Sequence, residues 1–265
     1  QTNTMTEFHQ ITPMLKQLRL SGVLETLEVR SQQAINEQWA YTDFLARLLQ
    51  DEVERRAHKQ LAMRVRRAVI NPQKTLETFD FSFNPGLNRP LINDLATANF
   101  IRQQRNVLIS GPTGTGKSHL AHALSHLVCR AGFSVTFLPA DAMLRQLRAG
   151  RADDTFDRRL NQLLRVDLLV IDDFGLKPLS SPGPQDLYDV ISGRYEKGAI
   201  LLTSNRAPAE WMSVFQDPLL GSAGLDRLLH DAHTILLEGR SYRTQKSVFA
   251  PAISTETSES EAILK

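Results

Sequence analysis

Residues 107–118 read VLISGPTGTGKS, an apolar run followed by a glycine-rich turn, a lysine and a serine. Residues 111–118 fit the pattern G-x-x-x-x-G-K-[ST], with a strand-like segment before it and helical spacing after it, as the pattern requires. Glycines let backbone N–H groups converge on phosphate oxygens, and the positive end of the helix dipole faces the same point. The stretch therefore predicts a P-loop between a buried strand and a helix.

Each residue type in this loop has a chemical reason to bind ATP. The ammonium group of Lys117 is expected to reach the β- and γ-phosphates, and the hydroxyl of Ser118 to ligate Mg²⁺. Lys117 is thereby also a candidate catalytic residue. The candidate nucleotide-binding residues are Gly111, Pro112, Thr113, Gly114, Thr115, Gly116, Lys117, Ser118 and His119.

A second motif lies downstream at residues 168–173, which read LLVIDD. A buried parallel strand delivers the residues at its end to the carboxyl edge of the sheet, where ligands bind. Asp172 is expected to hold the magnesium shell and Asp173 to orient the attacking water, which predicts ATP hydrolysis. The alternative is that Asp173 caps the next turn, because its side chain is shorter than the glutamate often found in this role.

Apolar, β-rich runs alternate with helical segments through the second half of the chain. Short continuous runs of this kind are typical of strands that are buried on both faces of a parallel sheet. We expect an α/β fold, a three-layer sandwich with a five-stranded parallel sheet and crossover helices. The predicted strands are residues 106–110, 134–138, 167–172, 199–204 and 233–237.

The chain before the P-loop has a different pattern. Residues 7–70 contain a single proline and show helical spacing of apolar residues, which predicts about three helices. Asn71-Pro72 ends this pattern. We predict a helical N-terminal domain over residues 5–71, a connecting segment over 72–105, the ATPase core over 106–246 and a disordered tail over 247–265, where Ser, Thr and Glu predominate.

Composition excludes several classes of protein. The chain has 265 residues, 42% hydrophobic and 23% charged, as in an ordinary globular protein, and its net charge of +2 identifies no partner. No apolar run approaches the roughly 18–20 residues that span a bilayer. Cys129 is the only cysteine, which excludes an intrachain disulfide and suits a reducing cytoplasm. His119, His122 and His126 share a helix face, but without acidic or cysteine neighbours they predict no metal site.

Five segments together resemble the P-loop ATPases of the AAA+ class, and within it the IstB family of insertion-sequence helper ATPases and the related helicase loader DnaC. These are GPTGTGKSHLA at 111–121, LLVIDDFG at 168–175, LLTSNR at 201–206, LDRLL at 225–229 and TLETFDFSFNPGL at 75–87. The resemblance covers most of the chain. It implies an AAA+ core with a reduced or absent helical lid, ATP and Mg²⁺ as ligands, and a homo-oligomer with ATP sites at subunit interfaces.

The resemblance also assigns roles to residues outside the two nucleotide motifs. Asn205 is similar to the sensor residue that contacts the γ-phosphate or the lytic water, although an asparagine at a strand end is also a common turn former. Arg227 is similar to an arginine finger acting on a neighbouring subunit, the alternative being an ordinary helix arginine paired with a carboxylate. Arg243 is a candidate second sensor.

Two segments are rich in basic residues. In DnaC-like ATPases the region that corresponds to residues 140–166 tracks nucleic-acid backbone, and such contacts are independent of sequence and sensitive to salt. The candidate DNA-binding residues there are Arg145, Arg148, Arg151, Arg158 and Arg159, the alternative for any one of them being a solvated basic face. Residues 55–67 hold six Lys and Arg residues, which predicts either a second contact with duplex DNA, a protein-docking surface or a solvated helix face.

The resemblance implies a helper of DNA transposition in the bacterial cytoplasm, associated with the nucleoid. It would self-assemble on duplex DNA with ATP and recruit or activate the transposase of the same insertion sequence. The alternative is a helicase loader that acts on single-stranded DNA. A nucleotide switch that binds only protein is a third class, and the basic segments argue against it.

Overall fold

The computed structural model describes residues 4–239, 241 and 242. Within this part of the chain the helices are α1 Thr4–Gln17, α2 Ser21–Glu37, α3 Tyr41–Ala68, α4 Arg89–Ala96, α5 Asn99–Arg102, α6 Lys117–Arg130, α7 Ala140–Ala152, α8 Phe156–Leu164, α9 Gly183–Arg194 and α10 Pro218–Leu229. The strands are β1 Val107–Ser110, β2 Val135–Pro139, β3 Leu168–Phe174, β4 Ala199–Ser204 and β5 His233–Leu236. Short 3₁₀ segments occur at Phe81–Phe83 and Pro208–Val214.

The five strands form one parallel sheet in the order β2-β3-β4-β1-β5. All five were expected from the sequence, and the predicted α/β fold with a five-stranded parallel sheet is confirmed. Because β1 is flanked by β4 and β5, the P-loop at its carboxyl end lies between the ends of these two strands. The ends of β3 and β4 reach the same edge, so three strands deliver their last residues to one place.

Alternate residues of the strands pack into two separate cores. Val107, Ile109 and Val170 face α6 and the end of α3, whereas Leu108 and Ile171 face α7, α9 and α10. Helices therefore cover both faces of the sheet, as a three-layer sandwich requires. All of these strand residues are fully buried, which explains why the strands read as continuous apolar runs.

The N-terminal helical region has a small core of its own. Leu15, Val23, Leu27 and Leu48 bring α1, α2 and α3 together. The buried carboxylate of Glu52 accepts hydrogen bonds from the backbone N–H groups at the start of α2. Burial opposes ionisation of Glu52, but the hydrogen bonds from Arg56 and from these N–H groups outweigh it and lower its pKa.

Helix α3 joins this region to the part of the chain that contains the sheet. Its end, at Ala68 and the following Ile70, packs into the core on the α6 face of the sheet. The predicted domain boundaries at 71, 105 and 246 stay predictions. The expected reduced lid, the tail and Arg243 concern residues outside the described ranges. Among the described residues no helix combines the length and hydropathy that crossing a bilayer requires.

Candidate nucleotide-binding site

The P-loop leaves β1 in a conformation that needs glycine. Gly111 has φ +147°, and a Cβ there would collide with the carbonyl oxygen of Leu237 at the end of β5. Gly116 has φ +102° and immediately precedes α6, so the helix begins at Lys117 with its free N–H groups facing the loop. The local sequence thus builds the anion-binding end of a helix, as predicted.

Lys117 is almost completely buried beneath the loop. Its Nζ donates hydrogen bonds of 2.7 Å to the carbonyl oxygens of Gly111 and Pro112. These contacts hold the ammonium group inside the curve of the loop, close to where phosphates would lie. The loop carbonyls therefore fix the position of this positive charge.

The acid pair lies beside the loop at the end of β3. Asp172 is buried and its Oδ1 accepts a hydrogen bond of 3.0 Å from the hydroxyl of Ser118 and another from Thr203 on β4. A hydroxyl and a carboxylate are oxygen donors of the kind that Mg²⁺ prefers, usually together with phosphate oxygens and water. Ser118 and Asp172 therefore fit a magnesium ion, although each was predicted separately.

Asp173 differs from its neighbour in exposure and backbone conformation. It is exposed, it lines the cleft, and its φ of +56° is uncommon for a residue other than glycine. Its backbone N–H donates a hydrogen bond of 3.0 Å to the hydroxyl of Thr203. The two adjacent carboxylates therefore lie in different environments. Asp172 contacts the Ser118 hydroxyl, and Asp173 lines the open cleft.

A cleft of about 480 Å³ joins these groups. The P-loop, Asp173 and Asn205 line it. It is also lined by six residues of the segment 74–84, namely Lys74, Thr78, Phe79, Asp80, Phe83 and Asn84. Asn205 follows directly after β4, so the structure brings this predicted sensor into the same cleft as the predicted catalytic carboxylate. Pro112 is exposed and Gly111 buried, and neither lines the cleft wall.

Residues 75–87 form one of the five segments that carry the family resemblance. The sequence alone nevertheless predicts no nucleotide-binding role for any residue of the segment 74–84. Phe79 packs edge-on against Phe81 and against His119, with ring centroids 5.0 and 5.4 Å apart. Asn84 donates a hydrogen bond of 3.1 Å from Nδ2 to the carbonyl oxygen of Thr115. Phe79 and Phe83 line the cleft and Phe81 does not, and the alternation of phenylalanines at 79, 81 and 83 was the available signal for an apolar wall.

Tyr242 closes one end of this wall. Its backbone N–H donates a hydrogen bond of 3.0 Å to the carbonyl oxygen of Gly114, and its ring packs edge-on against Phe83 at 5.2 Å. The segment after β5 therefore returns to the P-loop. Nothing in the sequence indicated this contact.

Arg227 lies far from this cleft. It is near the end of α10, where Nη1 donates to the Tyr188 hydroxyl at 3.1 Å and the guanidinium lies 5.3 Å from the Tyr188 ring centroid. It lines a separate cleft of about 180 Å³ together with Arg105 and Asn106, which precede β1. This second cleft lies at the amino edge of the sheet. The four residues of β1 separate it from the P-loop, and at roughly 3.3 Å per residue they span about 13 Å.

The five candidate DNA-binding arginines fall into two groups. Arg145, Arg148 and Arg158 are exposed; Arg145 pairs with Asp141 one turn earlier, and Arg148 contacts Ser180 at 3.3 Å. Arg151 is exposed too, with 40% of its side chain accessible, but it and the half-buried Arg159 make internal ion pairs. Arg151 pairs with the buried Asp186 at 2.6 Å, and Arg159 pairs with Asp153 at 2.6 Å and reaches the Gln146 carbonyl at 3.0 Å.

The basic block on α3 is also partly used internally. Arg55 pairs with Glu25 and Arg56 with Glu52, both within the N-terminal helical region. Within the described ranges Lys59, Arg64, Arg66 and Arg67 form no ion pair. They extend the positive charge along α3 towards the core.

The histidines of α6 have separate environments. His122 stacks on Phe137 with centroids 3.9 Å apart, and its Nδ1 accepts a hydrogen bond from the backbone N–H of Asn71. Burial, assisted by the charge of Lys74, lowers the pKa of His122 to about 4. The described residues contain no group of three side chains suited to a metal ion, so the histidines give no support for a metal site.

Comparison with known proteins identifies relatives along nearly the whole chain. The family described as IstB-like ATP binding proteins matches residues 13–250. An insertion-sequence ATP-binding protein of Mycobacterium tuberculosis is 39% identical over 88% of this chain and 93% of its own length. The IS21 insertion-sequence ATP-binding protein of Pseudomonas aeruginosa is 34% identical over 94% of both chains.

Solved structures show a similar fold at lower identity. AMPPCP-bound DnaA from Aquifex aeolicus superposes with a TM-score of 0.55 at 23% identity, over 66% of this chain and 54% of its own. DnaI superposes with a TM-score of 0.52 at 17% identity, over 63% of this chain and 89% of its own. At these identities the likeness is one of fold, and it agrees with the AAA+ arrangement of the sheet.

Proposed function

The chain belongs to the family of IstB-like ATP binding proteins of insertion sequences, and on that premise we propose that it is an ATP-hydrolysing helper of DNA transposition that assembles on duplex DNA. One observation carries the hydrolytic part of this proposal. Lys117, Asp173 and Asn205 line one cleft, next to the Ser118–Asp172 contact. A protein that only stored nucleotide would not need both acids and a polar strand-end residue there.

The nucleotide phosphates would bind to the backbone N–H groups of the P-loop, with Lys117 on the β- and γ-phosphates. Ser118 and Asp172 would hold Mg²⁺, which when bound neutralises charge on the phosphate oxygens. Phe79, Phe83 and Tyr242 offer the apolar surface for the base. The fit is supported by the buried lysine, the paired oxygen donors and a cleft volume suited to a nucleotide.

Hydrolysis needs a group that orients water against the γ-phosphate. Asp173 is exposed in the cleft, whereas Asp172 is buried against Ser118 and Thr203, so the two acids suit different tasks. We assign Asp173 to the water and Asn205 to the γ-phosphate or the same water. Both residues follow the carboxyl ends of their strands and line the cleft together with the P-loop, where the γ-phosphate would bind.

Arg227 can serve as an arginine finger only for another subunit. It lies at the amino edge of the sheet and its own P-loop lies at the carboxyl edge. A cation that stabilises the transition state must contact the transferred phosphoryl group. This separation supports a homo-oligomer in which ATP sites lie at subunit interfaces.

DNA binding is assigned to three of the five candidates, and not to Arg151, which is exposed but paired with the buried Asp186, or to the half-buried Arg159. Arg145, Arg148 and Arg158 present charge on α7 and α8, and α3 carries a second basic surface at Lys59, Arg66 and Arg67. Contacts of this kind address phosphates and not base sequence. The partner that cuts and joins DNA would be the transposase of the same insertion sequence, in the bacterial cytoplasm at the nucleoid.

The decisive experiment measures particle size with ATP and Mg²⁺ on duplex and single-stranded DNA of equal length, followed by ATP turnover in each condition. We expect large complexes and stimulated turnover on duplex DNA only. Lys117→Ala is the matched control and should form no ATP-dependent complex. Assembly on single strands alone would instead indicate a helicase loader, and assembly on neither would refute the DNA-binding part of the proposal.

A further inference from the structure

We propose that Thr203 is a positioning residue whose single hydroxyl sets the arrangement of the two acidic residues, Asp172 for the metal and Asp173 for the water. The inference rests on the proposed function and extends it to a residue on β4 that belongs to neither nucleotide motif. Thr203 has no exposed surface, so it acts through its neighbours and not by touching the nucleotide.

The hydroxyl of Thr203 makes two hydrogen bonds of opposite sense. It donates to Oδ1 of Asp172, and it accepts from the backbone N–H of Asp173 at 3.0 Å. A hydroxyl has one proton and two lone pairs, so it can make both bonds at once. No apolar side chain of the same size can replace either bond.

The strand pairing explains why this position is special. Ile171 pairs with Leu202 and Phe174 pairs with Ser204, so two residues of β3, Asp172 and Asp173, lie opposite the single residue Thr203. Such a bulge interrupts the ladder of backbone hydrogen bonds and redirects a side chain. The N–H of Asp173 bonds to a side chain here, where a regular strand would use a backbone carbonyl.

The bulge determines where each carboxylate goes. With a φ of +56°, Asp173 leaves the regular strand geometry and its side chain reaches the cleft. Asp172 stays buried, with Oδ1 held by two hydroxyl donors, Ser118 from α6 and Thr203 from β4. Removing the Thr203 donor leaves the carboxylate held by Ser118 alone, and removing the acceptor leaves the backbone N–H of Asp173 without this hydrogen bond.

Thr203→Val is the direct test, because valine has the shape of threonine without the hydroxyl. We expect a loss of about 10- to 100-fold in ATP turnover and a comparable rise in the Mg²⁺ concentration needed for tight binding of a non-hydrolysable ATP analogue, the range typical for residues that orient metal ligands. Binding of the analogue without Mg²⁺ should stay within about threefold. Amide exchange at Asp173 should accelerate, which is a readout independent of hydrolysis.

Two further variants separate positioning from folding. Thr203→Ser retains the hydroxyl and should restore turnover and Mg²⁺ dependence. Ser204→Ala removes the neighbouring buried hydroxyl, which bonds to Phe174 and Arg206 but not to the acids, and should lower thermal stability without changing the Mg²⁺ dependence. The stability loss in Ser204→Ala shows what the removal of a buried hydroxyl from β4 costs. The stability loss in Thr203→Val is to be compared with it.

The inference is overturned if Thr203→Val loses stability alone and keeps the wild-type Mg²⁺ dependence, or if analogue binding falls equally with and without Mg²⁺. Failure of the proposed function is a separate result. If the wild-type protein binds nucleotide with Mg²⁺ but assembles on no DNA, the transposition proposal fails while the Mg²⁺ comparison between Thr203→Val and Thr203→Ser still decides the role of Thr203.

Discussion

The hydroxyl of Ser118 and the carboxylate of Asp172 meet at 3.0 Å although 54 residues separate them in the chain. Ser118 is held by the first turn of α6 and Asp172 by the end of β3, so the contact depends on the packing of that helix against the sheet. The contact joins the P-loop and the LLVIDD segment into a single site.

Asp173→Asn should abolish hydrolysis and leave nucleotide binding in place. The amide keeps the size of the side chain but cannot act as a base towards water, so turnover should fall by about 10²- to 10⁴-fold. Single-turnover hydrolysis and analogue binding should be measured on the same preparation. Lys117→Ala is the contrasting variant and should lose affinity for the nucleotide; equal affinity in both would contradict the assigned roles.

The sequence was sufficient to predict those structural elements that depend on residues close together in the chain. The P-loop has fixed spacing, and β1, β3 and β4 are buried on both faces, so they read as apolar runs whose limits agree with the structure to within one or two residues. The helical N-terminal region was predicted for the same reason. The 3.6-residue periodicity of each helix is set by neighbours within a few positions.

The sequence was insufficient where a contact joins distant segments. Arg151 and Arg158 look equivalent in the chain and both are exposed, yet Arg151 is bound to the buried Asp186, 35 residues away, and Arg158 forms no ion pair within the described ranges. The role inferred for Thr203 depends on a bulge in the register of β3 on β4. Neither the pairing partner nor the register is visible in local patterns.

Arg227→Ala should reduce turnover only in the site that faces the altered subunit. Since Arg227 cannot reach its own P-loop, a mixture of Arg227→Ala and Asp173→Asn subunits should form some interfaces that combine an intact acid pair with an intact arginine. Turnover of the mixture should exceed that of either variant alone. If mixing at several ratios restores nothing while both variants still co-assemble, a finger acting between subunits is ruled out.

Charge reversal at Arg145, Arg148 and Arg158 should weaken DNA binding and flatten its dependence on salt. Each lost phosphate contact should reduce the slope of log K against log salt by about 0.9 on duplex DNA. Thermal stability should change little, because exposed ion pairs such as Arg145–Asp141 contribute little. An unchanged slope would remove these residues from the interface.

Arg151→Ala serves as the comparison for that experiment. Arg151 donates to Asp186, which is only 1% exposed, so its removal leaves a buried carboxylate without its cation. Because the Arg151 side chain is itself 40% exposed, we expect a loss of about 1–3 kcal/mol in the free energy of unfolding. Denaturant unfolding would measure it, and a variant as stable as the wild type would contradict a structural role for this arginine.

Cys129 should be inert in the folded protein. It has no exposed surface, and burial raises the pKa of its thiol to about 11, so at pH 8 almost none of it is thiolate. A thiol reagent should modify the chain only at the rate at which it unfolds. Reaction within seconds in native buffer, with complete reaction in denaturant as the reference, would show that α6 is less tightly packed than the structure has it.

His122 should make the protein less stable as the pH falls from about 6.5 to about 4. Its pKa is lowered by burial to about 4 in the folded state, whereas the unfolded chain takes up a proton near 6.5, so protonation favours unfolding across this interval. Because the ring is partly exposed, the expected loss is about 2 kcal/mol. His122→Asn keeps an acceptor for the Asn71 N–H and removes the titration. The difference in unfolding free energy between wild type and variant should therefore change with pH over this interval; a constant difference would mean that His122 is protonated in the folded protein as readily as in the unfolded chain.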